Sequence, residues 1–215
     1  MKVTLLCSDN KHPVYPYLRA WREANKDKYK ISLISDLDKL QERGDILFLV
    51  SCTEIINAEK RKMFKHALVL HASDLPKGRG WSPHIWDIVS GKNELMVSLI
   101  NAEDSVDTGD IWKKISIKLK GTELYDEINK LLFEAEVKLI SWACANILKS
   151  KPKSQESGDF NYYRKRTPED SELDINKSIK DQFNLLRVCD PNRFPAFIKL
   201  DDQKFKVILE KYDEE

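Results

Sequence analysis

Several features that would place this chain in a broad class are missing. Its four cysteines (Cys7, Cys52, Cys144 and Cys189) are scattered without a CxxC pair, so the spacing suggests neither a zinc site nor a disulfide framework, and no metal is expected. No apolar run approaches the roughly 18 residues of a membrane helix. No internal repeat is present. Charge of one sign is not in excess: 36 Lys and Arg oppose 35 Asp and Glu, for a net charge of +1. That balance excludes a general electrostatic pull toward nucleic acid or an anionic membrane. The opening MKVTLLCSDN carries one lysine and a short apolar run that ends in polar residues, the pattern of a first strand and not of a signal peptide. The expectation is a reduced, cytoplasmic protein.

What the chain does have is alternation. At 215 residues it suits one domain with a small appendage, and it is long enough for a real core. Strand-like runs at residues 3–7, 31–35, 46–51 and 67–71 alternate with helix-like segments at 17–24 and 57–66. ILFLVS is continuous enough to be buried on both faces. The pattern predicts an α/β fold with a Rossmann-like, mostly parallel sheet, whose chemistry gathers at the carboxyl ends of its strands, where Ser8, Ser51 and His71 fall. A short helix at 83–89 and strands at 95–100 and 111–119 follow. Thr122 is a plausible N-cap for the longest helix, whose apolar positions run from Leu124 to Ile147 at helical spacing. SKPKSQESG, residues 150–158, reads as a linker. It divides residues 1–149, a catalytic domain, from 150–215, a small extension with a helix near 179–187 and a β-hairpin that completes an acceptor site or an interface.

Chemistry points to HASDLPKGRG, residues 71–80, and VDTGD, residues 106–110. A strand delivers His71 to its end, and a glycine-bearing turn after a later strand supplies Asp107; such a pair suits proton transfer. Taken singly, each residue has a plain alternative. A histidine ending a buried strand is as often a core residue. DTGD is turn chemistry, with Gly109 available for positive φ. Lys77 and Arg79 are either solvated charges or partners of an anionic ligand.

Together, in this order, the segments resemble the folate-dependent formyltransferases, with the closest likeness to the short nucleotide-sugar N-formyltransferases. His71, Ser73, Leu75, Pro76 and Gly80 fill an H-x-S-x-L-P-x-x-x-G pattern, Asp107 and Gly109 a downstream D-x-G, and Arg166, Pro168 and Asp170 a later R-x-P-x-D. The resemblance implies transfer of a formyl group from 10-formyltetrahydrofolate to an amine. His71 accepts the amine proton or, protonated, stabilises the oxyanion, and Asp107 orients it. It also implies folate contacts by Val50, Ser51, Cys52 and Thr53, with Asp107 nearby. A working pair should meet within hydrogen-bond reach and line an open cleft. One departure matters: the family's asparagine two residues before the histidine is Val69 here. Its hydrogen bond, worth roughly 3 kcal/mol at such sites, passes to backbone amides or an imidazolium His71, or to Asn10, Ser51 or Thr53, or catalysis is lost.

For the acceptor, the resemblance favours a nucleotide-linked amino-deoxysugar, of the 4-amino-4,6-dideoxy type used in bacterial surface glycans. The chain lacks the large C-terminal barrel and basic surface associated with tRNA. Tyr162, Tyr163, Arg164, Lys165 and Arg166 form an aromatic and basic cluster suited to a base and a pyrophosphate. Ser73, Lys77, Arg79, Tyr163, Arg164 and Arg166 are the expected acceptor contacts, and a homodimer is the expected assembly. The alternatives are a glycinamide-ribonucleotide-type or other small-amine formyltransferase and, in another class, a non-catalytic folate- or nucleotide-binding protein.

Overall fold

The structure, a computed structural model, describes residues 1–156 and 160–212. A six-stranded sheet organises it. β1 (Lys2–Leu6), β2 (Lys30–Ile34), β3 (Gly44–Leu49) and β4 (Phe64–His71) run parallel, while β6 (Glu94–Asn101) and β7 (Ile111–Lys118) are added antiparallel, giving the spatial order β2-β1-β3-β4-β6-β7. The expected mostly parallel sheet is present: β6 alone is reversed, and β7, antiparallel to β6, runs again in the direction of β1 to β4.

Strand alternation divides the core into two layers. Val3, Leu5 and Cys7, then Ile46, Phe48 and Val50, then Leu68 and Leu70 enter the larger cluster, which α1 (Tyr15–Asn25) and α4 (Tyr125–Asn146) cover. Trp21 Nε1 donates to Ser141 Oγ at 2.8 Å and ties those two helices together. Leu6, Leu47 and Leu49 enter a smaller cluster with Ile56 and Phe64, against which Ala67 and Val69 pack. Val69 therefore points to the smaller layer, on the same pleat face as His71 two residues on.

Three expectations change at the edges of elements. The polar stretch 57–66 yields only a single helical turn, α2 (Ala58–Arg61), because β4 begins at Phe64, whose ring seals against Gly44 on the neighbouring strand. Thr122 does not cap α4. Leu124 holds that position, and the Glu127 carboxylate takes its amide at 2.9 Å while Glu123 takes those of Lys120 and Gly121. Nor is the described part of the expected linker free chain. Lys153 and Ile111 exchange backbone hydrogen bonds of 2.7 and 2.8 Å, which fastens the segment to the first residue of β7. Its last residues, 157 and 158, lie outside the described part of the structure.

Beyond it, β8 (Tyr162–Tyr163) pairs in parallel with β5 (Arg79–Gly80). α5 (Phe183–Arg187) and the hairpin of β9 (Ala196–Leu200) and β10 (Gln203–Val207) close a small third cluster around Leu173, Leu186, Cys189 and Ala196. The buried Arg187 side chain locks this extension to the sheet domain. It reaches the Glu123 carbonyl at 3.3 Å and the Glu123 carboxylate at 3.8 Å.

Candidate active site

β4 ends in His71, and the chain then turns through a Pro- and Gly-bearing loop back to β5. Asp107 arrives from the turn between β6 and β7. His71 Nδ1 lies 3.3 Å from Asp107 Oδ1, and the other carboxylate oxygen accepts the Gly80 amide at 2.9 Å. His71 Nε2 lies 2.8 Å from the Gly78 carbonyl oxygen. Both neighbours of the ring are acceptors, so the imidazole is held between a carboxylate and a carbonyl. The expectation of a close pair is met. That of an open cleft is not: His71 is 7% exposed and Asp107 9%. Two surface depressions, of about 350 and 280 Å³, lie elsewhere, beside Arg61 and Trp112 and beside Glu172 and Lys199. The loop from Gly78 to Gly80 covers the pair.

The turn itself works differently from its sequence reading. Asp107, not Gly109, holds the left-handed conformation, with φ of 57°. Aspartate tolerates this region better than most residues. Gly109 is needed for close approach, since a Cβ there would stand 1.9 Å from the Asn101 carbonyl oxygen.

Ser73 is brought near the pair but is 2% exposed, beneath Gly78, with its hydroxyl unpartnered; this corrects its placement on the acceptor-facing surface. Ser98 Oγ instead donates to the Ser73 carbonyl at 2.7 Å, so the loop is fixed through backbone. Lys77 is exposed. The Arg79 guanidinium is engaged inside the fold, over the Phe160 ring at 4.7 Å and donating to Gln155 Oε1 at 2.8 Å. Tyr163 stacks on Trp86 and donates its hydroxyl to Asp87 at 2.9 Å. Arg164 forms a two-pronged pair with Asp170, whose carboxyl it holds down at about 2, and lies over Trp86. Arg166 donates to the Asp170 carbonyl at 2.8 Å. The R-x-P-x-D segment is thus first an internal staple.

Around the end of β3, Ser51 adopts φ of 47° and turns the chain out of the sheet. Ser8 Oγ accepts the Thr53 amide at 2.8 Å and lies 3.2 Å from its hydroxyl, which stitches the β1 and β3 ends together. Among the described residues, no hydrogen bond claims the amides of Ser51 and Cys52, so the loop retains backbone donors of the kind a pteridine ring needs. Thr53 is held in this stitch by its amide and hydroxyl, and the Ser51 carbonyl accepts from Ser8 Oγ at 3.4 Å. Val69 packs against Leu49 and Ile56, and its side chain offers no donor.

Two participants escaped the sequence reading. His84, on α3 (Pro83–Val89), keeps a buried Nδ1 with no partner, and burial followed by the nearby His71 holds it down at about 4. Gln155 donates to the Asp107 and Gly109 carbonyls at 2.8 and 2.9 Å. His84 was visible within WSPHIW, but nothing in its spacing gave it a role. Gln155 stood in a polar stretch that read as spacer.

With this geometry in hand, relatives are informative. Residues 2–144 match the formyl transferase family model. The chain belongs to that family. It is 30% identical over 195 residues to the bifunctional polymyxin resistance protein ArnA of Wigglesworthia glossinidia brevipalpis, covering 87% of this chain and 30% of that protein. Other curated relatives are methionyl-tRNA formyltransferases, of which it spans just over half the length. In structure it is similar to the methionyl-tRNA formyltransferase from Clostridium thermocellum (TM-score 0.81, 24% identity, 99% of this chain and 94% of that one). It is also similar to a sugar N-formyltransferase from a Shewanella species (TM-score 0.71, 16% identity, 100% and 99%). At those identities the structural likeness establishes the formyltransferase fold.

Proposed function

We propose that this protein transfers a formyl group from 10-formyltetrahydrofolate to the amino group of a nucleotide-linked amino-deoxysugar. The observation that carries the reading is the 3.3 Å approach of His71 and Asp107 within a formyl transferase fold. The donor, when bound, supplies an activated formyl group, and the backbone of Val50 to Thr53 is the proposed seat of its ring. The chain's own residues do the rest. Asp107 fixes the His71 ring and balances its charge. His71 donates a hydrogen bond to the developing oxyanion and so takes the role that Val69 cannot fill, and the proton lost by the attacking amine passes through the pair to the folate nitrogen as its bond to the formyl carbon breaks. For that, the Gly78 carbonyl must release Nε2, so acceptor binding and movement of the 78–80 loop are one event. Exposed Lys77 is the proposed contact for the acceptor's phosphates. Tyr163, Arg164 and Arg166 shape the wall beside it, and Arg79 keeps the loop in place. The similarity to a sugar N-formyltransferase supports this acceptor, as does the near-neutral net charge of +1.

A second reading, a non-catalytic folate- or nucleotide-binding protein, is favoured by the burial of the pair and by Val69. One experiment separates them. Purified protein is incubated with 10-formyltetrahydrofolate and a panel of UDP- and dTDP-linked amino sugars, glycinamide ribonucleotide and methionyl-tRNA, and formylated product is followed by mass spectrometry. Product from an amino sugar, lost in His71→Ala and Asp107→Ala with the fold intact, supports the proposal. Retained folate binding without product from any acceptor favours the second reading.

A further inference from the structure

We propose that Gln155 is the positioning residue of the His71–Asp107 pair. The activity part of its test rests on the formyl-transfer reading; the geometry stands without it. The Gln155 amide makes three hydrogen bonds to the two loops that meet at His71. Its nitrogen donates to the carbonyls of Asp107 and Gly109, at 2.8 and 2.9 Å, and its oxygen accepts from Arg79 Nη2 at 2.8 Å. Asp107 supplies the carboxylate beside Nδ1. Arg79 lies between Gly78, whose carbonyl holds Nε2, and Gly80, whose amide holds the Asp107 carboxylate. One side chain therefore sets both loops against the same imidazole.

Two observations make this more than a surface bond. Asp107 is a non-glycine residue at φ of 57°, a conformation uncommon enough to gain from being held, and Gln155 pins the carbonyls of Asp107 and Gly109 within that turn. Gln155 is also presented from fixed backbone, because Lys153 is paired with Ile111 in both directions. Among common side chains only a primary amide combines two donor hydrogens with an acceptor; a carboxylate keeps the contact to Arg79 and loses both donors. Gln155 touches no reacting atom, so its effect passes through Asp107 and His71.

Gln155→Glu and Gln155→Ala are compared with the wild type and with Asp107→Asn. The readouts are kcat, KM for the folate donor, the pH profile of kcat, and the ring resonances of His71 followed by NMR across pH. Both Gln155 variants are expected to lower kcat roughly ten- to hundred-fold, to leave KM within about twofold, and to move the pH profile and the His71 resonances in the direction that Asp107→Asn does. If Gln155→Ala proves unstable, Gln155→Glu alone decides, since it keeps the Arg79 contact. Wild-type kcat, pH profile and His71 resonances in Gln155→Glu overturn the proposal. If the wild type formylates no acceptor, the formyl-transfer reading falls and the resonances decide: a shift matching Asp107→Asn supports positioning, and unchanged resonances overturn it.

Discussion

Two glycines in positive and ordinary backbone illustrate different reasons for having no side chain. Gly91 has φ of 95° and open space around its missing Cβ, so Gly91→Ala meets only backbone strain, about 1 kcal/mol. Gly109 has the Asn101 carbonyl in its way, so Gly109→Ala must push β6 and the Asp107 turn apart. The larger loss is expected there, at least 2 kcal/mol by the roughly 1–3 kcal/mol scale of overpacking, with turnover falling alongside stability; urea unfolding and activity on the same samples check both. Val69→Asn buries an amide in the smaller apolar layer and is expected to lower the melting temperature without being needed for turnover. A wild type that is inert until this change is made favours the non-catalytic reading. At this scale His71 and Asp107 were legible because strand-end histidines and D-x-G turns have a fixed order in the chain. Ser73 was misplaced because a motif gives residue order and not depth. Gln155 was illegible because two hydrogen bonds to distant backbone and one from a distant side chain leave no local pattern.

Among the elements, the sheet strands were readable from period-two burial, and α3 matches its expected span residue for residue. The ends of α2 and α4 were not: the first is set by the distant contact of Phe64 on Gly44, and the second by the carboxylates of Glu123 and Glu127 on amides two or three residues before them. The extension is held by a different kind of contact. Arg187 is 1% exposed and sits among Glu123, Asn93 and Asn184, so Arg187→Ala strands the Glu123 carboxylate in a dry place. Breaking a buried pair in this way costs about 3–5 kcal/mol. The expected result is a large drop in the urea midpoint. Arg187→Met, which refills the volume, should recover part of it, because Glu123 still receives the amides of Lys120 and Gly121. Equal losses in the two variants contradict a role for packing around the guanidinium.

For the molecule as a whole, two half-buried histidines and one buried glutamate weigh most on the pH of greatest stability. His12 and His84 are both held down at about 4, burial being the largest cause in each. Their native forms resist protons that the unfolded chain accepts near 6.5, so stability falls as pH drops from that value toward 4. Glu136, buried in α4 with one oxygen unpartnered, is pushed up to about 8 by burial alone. There the native state keeps a proton that the unfolded chain has already released above 4.5, so this group costs stability as pH rises from 4.5 to about 8. The two histidines outweigh the single glutamate below 6.5, and the glutamate acts alone above it. Thermal melting should therefore show a maximum near pH 6.5, and Glu136→Gln should flatten the alkaline side while leaving the acid side in place. An unchanged alkaline slope in that variant contradicts the assignment.

The parallel pairing of Arg79 and Gly80 with Tyr162 and Tyr163 has a consequence for how the protein is made. The loop over His71 takes its register from residues that leave the ribosome long after the loop itself, and the core that anchors them closes only when α5 and the hairpin have emerged. A nascent chain halted near residue 150 holds every strand of the main sheet and both members of the pair, yet lacks Gln155, β8 and Arg187. Folding of the sheet and maturation of the site are then separate events in time, and the second waits for contacts of long sequence separation. Ribosome-bound chains of increasing length should acquire protease resistance in the sheet first, and a wild-type His71 environment only after the extension is complete.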